Sequence, residues 1–138
     1  IVRLALGESF VLPRHHRLRH RNDFNTVYQR SRRVRGSCLS LRVHDRRSHR
    51  SAVSESDAAI AATRIGISIS RKVSKRAVVR NRIKRQIRAV WRQLLPHISP
   101  GFDVITIVHP AACECNWSQF LSELKQLVTN AEVGYGDS

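Results

Sequence analysis

The sequence predicts an α+β fold: a single-domain α/β sandwich in which helices pack on a small mixed sheet, ordered helix-strand-strand-helix-strand-helix. Three observations predict it. Residues 38–43 (CLSLRV) and 64–70 (RIGISIS) alternate apolar and polar side chains with the period of two that a strand requires. Residues 102–108 (FDVITIV) are almost unbroken apolar, as expected of a strand covered on both faces. Residues 75–95 and 116–128 instead repeat apolar positions every three or four, the period of a helix with one buried face. At 138 residues the chain suits one domain with a real core.

In chain order, the first dozen residues show no period. Residues 1–13 are expected to be a flexible tail, 14–132 the domain, and 133–138 a C-terminal tail. Residues 13–21 (PRHHRLRHR) form a cationic lead-in to a helix with Asn22 as its expected N-cap and Asp23 in the first turn. Phe24, Val27 and Tyr28 follow at i, i+3 and i+4, on one face. Residues 31–36 (SRRVRG) read as a basic loop. The strand 38–43 sets Leu39, Leu41 and Val43 on one side against Cys38, Ser40 and Arg42 on the other, a half-buried pattern. Residues 44–62 are rich in Ser, Ala, Arg and His without a sustained period, and read as a long solvated loop.

The strand 64–70 turns Ile65, Ile67 and Ile69 inward and leaves Gly66, Ser68 and Ser70 outward, a small-sided face. Ser74 is the expected N-cap of the next helix, which Pro96, Pro100 and Gly101 end. On that helix Val79, Ile83, Ile87, Val90, Trp91 and Leu94 gather into one stripe, with Arg82, Arg85, Arg88 and Arg92 on the far side. Arg80 and Lys84 fall at the edge of the stripe, and Arg80, Asn81 and Arg82 splay about 100° apart around the helix start. The last helix opens with Asn116 and Gln119 in capping-box spacing and carries Trp117, Phe120, Leu121, Leu124, Leu127 and Val128 as its stripe.

Charge points to the partner. Net charge is +15, and the isoelectric point is about 11.5. Residues 1–50 carry thirteen Arg and Lys against three acids, residues 51–102 eleven against two, and residues 103–138 one against five. Residues 75–92 (KRAVVRNRIKRQIRAVWR) hold eight cations and no carboxylate. A merely solvated face mixes signs to gain i,i+4 pairs, so an unmixed one implies that an external polyanion relieves the repulsion. Most of these cations are Arg, whose planar fork matches phosphate oxygens. Nucleic acid is the expected partner. A helix lying on a membrane is the weaker reading, because strands on either side in sequence require the apolar stripe for the core.

Phe24 and Tyr28 beside the small-sided strand face could stack bases of single-stranded RNA, or simply pack their helix down. No pair of carboxylates sits near the basic helix, and no Gly-rich phosphate loop or Ser/His/Asp set is present, so the expectation is an RNA binder without catalytic apparatus of its own. His15, His16 and His20 read as tail charge, and His97 and His109 are isolated. Cys38, Cys113 and Cys115 do not fit common zinc or disulfide spacings and read as reduced thiols. No apolar run reaches membrane-spanning length, and the start lacks the ordered regions of a signal peptide, so a cytoplasmic protein with no membrane partner is expected. With no Met in the chain, Ile1 is not expected to be the translation start.

At RIGISISRKVSKRAVVRNRIKRQIR (64–88) the sequence resembles the protein subunit of bacterial ribonuclease P, whose signature is the segment Arg80-Asn81-Arg82 followed by Ile83-Lys84-Arg85. The likeness extends back to Arg17, Leu18 and Arg19, Phe24, Val27 and Tyr28, and forward through 102–108 and the last helix. It implies a ribonucleoprotein endonuclease that removes the 5′ leader of precursor tRNA, a hydrolase whose chemistry is carried by its RNA subunit. Mg2+, held mainly by the RNA, is the implied cofactor. The implied partners are ribonuclease P RNA and precursor tRNA, with no obligate protein partner. By position, Arg80, Asn81, Arg82, Lys84, Arg85 and Arg88 would contact the catalytic RNA; Phe24, Tyr28, Ser68, Ser70, Arg71 and Lys72 would line a leader cleft. Catalytic and metal-ligating residues are expected to be none.

The resemblance also implies a left-handed crossover around the basic helix, against the general right-handed rule. Two departures stand out. The loop 44–62 is longer than usual, and His109-Pro110 occupies a place where many relatives carry a basic pair. The alternative is a general RNA-binding or ribosome-associated protein without a catalytic partner.

Overall fold

Strand β4 (Phe102–Val108) is the axis of the molecule, buried at every position but Ile107. It is flanked by β2 (Leu39–Asp45), antiparallel, and β3 (Arg64–Ser68), parallel; β1 (Arg32–Arg35) pairs antiparallel with β2. The sheet order is β1-β2-β4-β3, so it is mixed. The helices are α1 (Arg21–Arg30), α2 (Ala77–Leu94) and α3 (Trp117–Ala131). The computed structural model describes residues 12–46 and 62–133. Most of the expected tails and of the loop 44–62 lie outside those residues. Where the ends are described, Leu12 and Val133 are buried in the core.

Each sheet face has its own cover. Leu41, Val43, Val104 and Ile65 face α2 and α3, where Ile83, Ile87, Val90, Trp91 and Leu94 meet Phe120, Leu124 and Leu127. Trp91 Nε1 donates to Thr106 Oγ1 at 2.8 Å, and both groups are buried, which fixes α2 on β4 while satisfying two polar atoms that burial would otherwise penalise. The opposite face takes α1: Leu18 and Val27 close on Ile105, with Phe24 and Ile107 packed beside them. The parallel pair β3–β4 requires a crossover connection, and α2 supplies it.

Four details differ from the sequence reading. Residues 32–35, expected as loop, form β1; Val34 packs on the core and Arg32 donates through Nη2 to Ala131 O at the end of α3. Pairing with β2 supplies what RRVR lacks in strand propensity, and cations on an edge strand discourage further pairing. Strand β2 is not half-buried: Ser40 and His44 are buried as well as Leu39, Leu41 and Val43, because β1 and β4 flank it and both faces are covered. Helix α1 starts at Arg21 with His20 as N-cap rather than Asn22, whose carbonyl accepts from Thr26 Oγ1. Helix α2 starts at Ala77, and Ser74 Oγ accepts from Arg76 N within the preceding turn instead of capping the helix. The capping box of α3 forms as read, with Asn116 and Gln119 each accepting from the other's backbone N–H.

Candidate nucleic-acid interface

Helix α2 turns its stripe into the core, and this leaves its charges outside. Asn81, Arg82 and Arg85 are exposed, while Arg80, Lys84, Arg88 and Arg92 are half-buried along the flanks. Arg80 is held by its own turn, with Nη1 donating to Ser74 O at 2.9 Å. The signature triplet therefore divides into one arm bound to the helix entry and two side chains presented to solvent.

The half-buried flank opens on a cleft of about 440 Å3 lined by Leu12, Arg17, Leu18, Arg19, Phe24, Ile65, Gly66, Ile67, Lys84 and Arg88. It lies at the outer edge of β3, where residues 12–19 run alongside. Leu18 N donates to Ile65 O at 2.9 Å, and Arg17 forms an isolated parallel bridge with Ile65. Arg17 Nε donates to Leu12 O at 2.8 Å, and His16 Nδ1 is 2.8 Å from Thr63 O. The cationic lead-in is thus stitched to the sheet edge. Four cations from two distant segments converge on one apolar floor. Burial lowers the affinity of the Arg88 guanidinium for its proton, and the charge of Arg17 lowers it further. Both effects disfavour the charged form, and a bound phosphate would reverse the second.

Phe24 reaches this cleft because β3 has no side chain at Gly66. A Cβ there would stand 2.6 Å from Phe24 Cζ. The ring's position is fixed one residue earlier. Asp23 Oδ2 is 3.2 Å from Arg64 Nη1, and Arg64 donates through Nε and Nη2 to the buried Asp103 at 2.9 and 2.7 Å. Arg46 Nε adds a third contact to Asp103 at 3.2 Å. The bond to Asp103 is the main cause that raises the proton affinity of Arg64. Asp23 and Asp103 are therefore committed to arginines, and the residues that line the cleft include no carboxylate.

The other expected leader residues lie apart. Tyr28 is 41% exposed, one turn beyond Phe24, with the Arg42 guanidinium 5.7 Å from its ring centroid. Ser68 shares the sheet face of Gly66. Ser70, Arg71 and Lys72 are exposed in the turn after β3, where Ser70 Oγ accepts from Lys72 N. Beyond Tyr28 the same sheet face continues through Arg33 opposite Arg42 and Arg35 opposite Ser40. His109, in the place of the missing basic pair, is bound by Nε2 to Ser40 Oγ at 2.6 Å. Arg17 and Arg19 were absent from the RNA-contact residues read by position. The signal available was the Arg-Leu-Arg alternation, in which a buried Leu18 sends both neighbours outward. Arg33 and Arg35 carried no such signal, since strand β1 itself was not legible.

Among the described residues no group of three or more His, Cys, Asp and Glu could hold a metal ion. No helix among them is long and apolar enough to cross a membrane.

Comparison with known proteins adds a family to this geometry. The family model "Ribonuclease P" matches residues 12–132. The chain is similar to the ribonuclease P protein component of a Cyanothece species, 52% identical over 132 residues and covering 91% of this chain and 99% of the relative. It is also similar to that of Microcystis aeruginosa, 50% identical over 128 residues and covering 91% and 98%. Among solved structures, the Staphylococcus aureus RNase P protein superposes with a TM-score of 0.71 at 26% identity, covering 87% of this chain and 98% of that one. The Thermotoga maritima RNase P protein gives 0.65 at 21%, covering 83% and 96%, a likeness of fold.

Proposed function

The chain belongs to the ribonuclease P protein family, and from that premise we infer that it is the protein component of a bacterial ribonuclease P, acting in tRNA 5′ maturation as a subunit of that endoribonuclease. Its partner is the ribonuclease P RNA. The observation that carries the reading is the convergence of Arg17 and Arg19 from the lead-in with Lys84 and Arg88 from α2, a helix without a carboxylate, on one cleft beside the Phe24 ring. Lys84 and Arg88 are half-buried and Arg17 and Arg19 exposed beside them, so the like charges are electrostatically costly in the free protein and relieved by a polyanion.

In this reading Arg82 and Arg85, with Asn81, lie on the catalytic RNA, while Arg80 braces the helix entry from which they project. Lys84 and Arg88 face the cleft and neutralise phosphates there. Phe24 and Tyr28 offer rings to unpaired bases of the precursor tRNA leader, and Ser68, Ser70, Arg71 and Lys72 border its path. Magnesium, the cofactor implied for the assembled particle, would be held mainly by the RNA and would supply charge neutralisation there. The protein's donor set does not fit a resident metal ion: Asp23 and Asp103 are taken by arginines. The chain's contribution to the reaction is thus binding and orientation. The compartment in keeping with this work is the cytoplasm.

The test is reconstitution with a bacterial ribonuclease P RNA at low magnesium and a precursor tRNA substrate. Leader removal should require both components. A protein that binds the RNA but never promotes cleavage would instead be a general RNA-binding module. Cleavage that survives without added RNA would make it a self-sufficient nuclease.

A further inference from the structure

We propose that Cys38 and Cys115 form a reversible intramolecular disulfide, a modification site that clamps the β1–β2 hairpin to the start of α3. The two sulfurs are 2.7 Å apart although 77 positions separate them in the chain. The backbone on both sides is held. Glu123 of α3 accepts from Cys38 N at 2.7 Å, Leu39 N at 2.6 Å and Ser37 Oγ at 2.8 Å. Cys38 O accepts from His109 N at 2.9 Å. Cys115 directly precedes Asn116, which the capping box fixes at the head of α3. The sulfurs need to close by less than about 1 Å to reach a disulfide length of roughly 2.05 Å. Cys113 is turned away, its Sγ donating to Val73 O at 2.9 Å.

Access is built in as well. A surface cleft of about 470 Å3 is lined by Cys38, Cys115, Arg35, Ser37, Gln119 and Glu123, wide enough for a peroxide or a small disulfide. The proton affinity of Cys115 is pushed up to about 12, first by burial and then by its bond to Cys38, with Glu123 and Glu114 adding. Cys115 thus favours its protonated form, and the first oxidation is assigned to Cys38. With hydrogen peroxide as oxidant, Cys38 takes one oxygen to become a sulfenic acid, and one water leaves. The Cys115 sulfur then displaces the hydroxyl, its proton departing with it as a second water. Two thiols are oxidised by two electrons and one peroxide is reduced to two waters.

The experiment uses the full chain treated with hydrogen peroxide and then alkylated. Two of three thiols should disappear with a mass decrease of about 2 Da, the chain should remain monomeric on a non-reducing gel, and a Cys38–Cys115 peptide should be found. Dithiothreitol should restore all three thiols. C113S should behave like the parent, and C38S and C115S should not cross-link. The oxidised form should melt on the order of 10 °C higher, because the bridge closes a long loop of the unfolded chain. Peptide mapping of the unmutated chain keeps the test valid if either serine variant is unstable. A bridge involving Cys113, intermolecular dimers, over-oxidation to sulfinic acid without a bridge, or a cross-link that leaves the melting temperature unchanged would each overturn the proposal.

Discussion

Gly66→Ala tests how Phe24 reaches the cleft. An added Cβ would stand 2.6 Å from Phe24 Cζ, 3.0 Å from Cε1 and 3.2 Å from Leu18 Cδ2. Something must shift. Leu18 is buried and held by the bond from its N to Ile65, so the ring is the group that moves. Overpacking of this kind costs about 1–3 kcal/mol. Gly66 does not have a positive φ, so alanine is otherwise tolerated there and returns about 0.4–1 kcal/mol through the unfolded chain. The net expectation is a loss of roughly 1–2 kcal/mol. With Phe24→Ala already in place the main clash is gone, and the same substitution should be neutral or slightly stabilising. Urea melts of the parent, both single variants and the double variant should therefore give a coupling of about 1–3 kcal/mol, opposite in sign to the single cost. Gly66→Ala should also weaken precursor tRNA binding by the assembled particle, since the ring leaves its place. Additive costs in the four melts would refute the packing of Phe24 on Gly66.

Three further outcomes follow from the two sides of α2 and from α1. Ile87→Ala should destabilise the fold by about 2–5 kcal/mol as a core truncation, whereas Arg85→Ala should leave the melting temperature nearly unchanged and weaken RNA binding; equal unfolding by both would reverse the facing of the helix. Affinity for ribonuclease P RNA should fall linearly on a log-log plot against salt, by roughly 0.7–0.9 per phosphate neutralised, and indifference to salt would contradict the phosphate reading. Tyr28→Ala should cost the holoenzyme about 1–3 kcal/mol of affinity for precursor tRNA and little for mature tRNA; a matching loss for both would assign Tyr28 to assembly.

The sequence by itself determined what depends on local period and local capping. The alternation of Ile65 and Ile67, the unbroken run of β4, the stripe of α2 and the Asn116 capping box each involve neighbours a few residues apart, and all are found in the fold, although β3 ends at Ser68 rather than at residue 70. The consequence that matters most, a bare cationic face on α2, was also local, because burying one stripe of a helix dictates what is left outside. Tertiary structure decided what depends on a distant partner. RRVR became a strand only because β2 offered it a ladder and α3 covered Val34. Arg17 and Arg19 joined Lys84 and Arg88 only because Leu18 was pinned to Ile65. Asp103, Arg64 and Asp23, three positions dispersed along the chain, became the brace that sets Phe24. Such contacts leave no period in the sequence, since their geometry is fixed by strand order and loop closure rather than by spacing along the backbone.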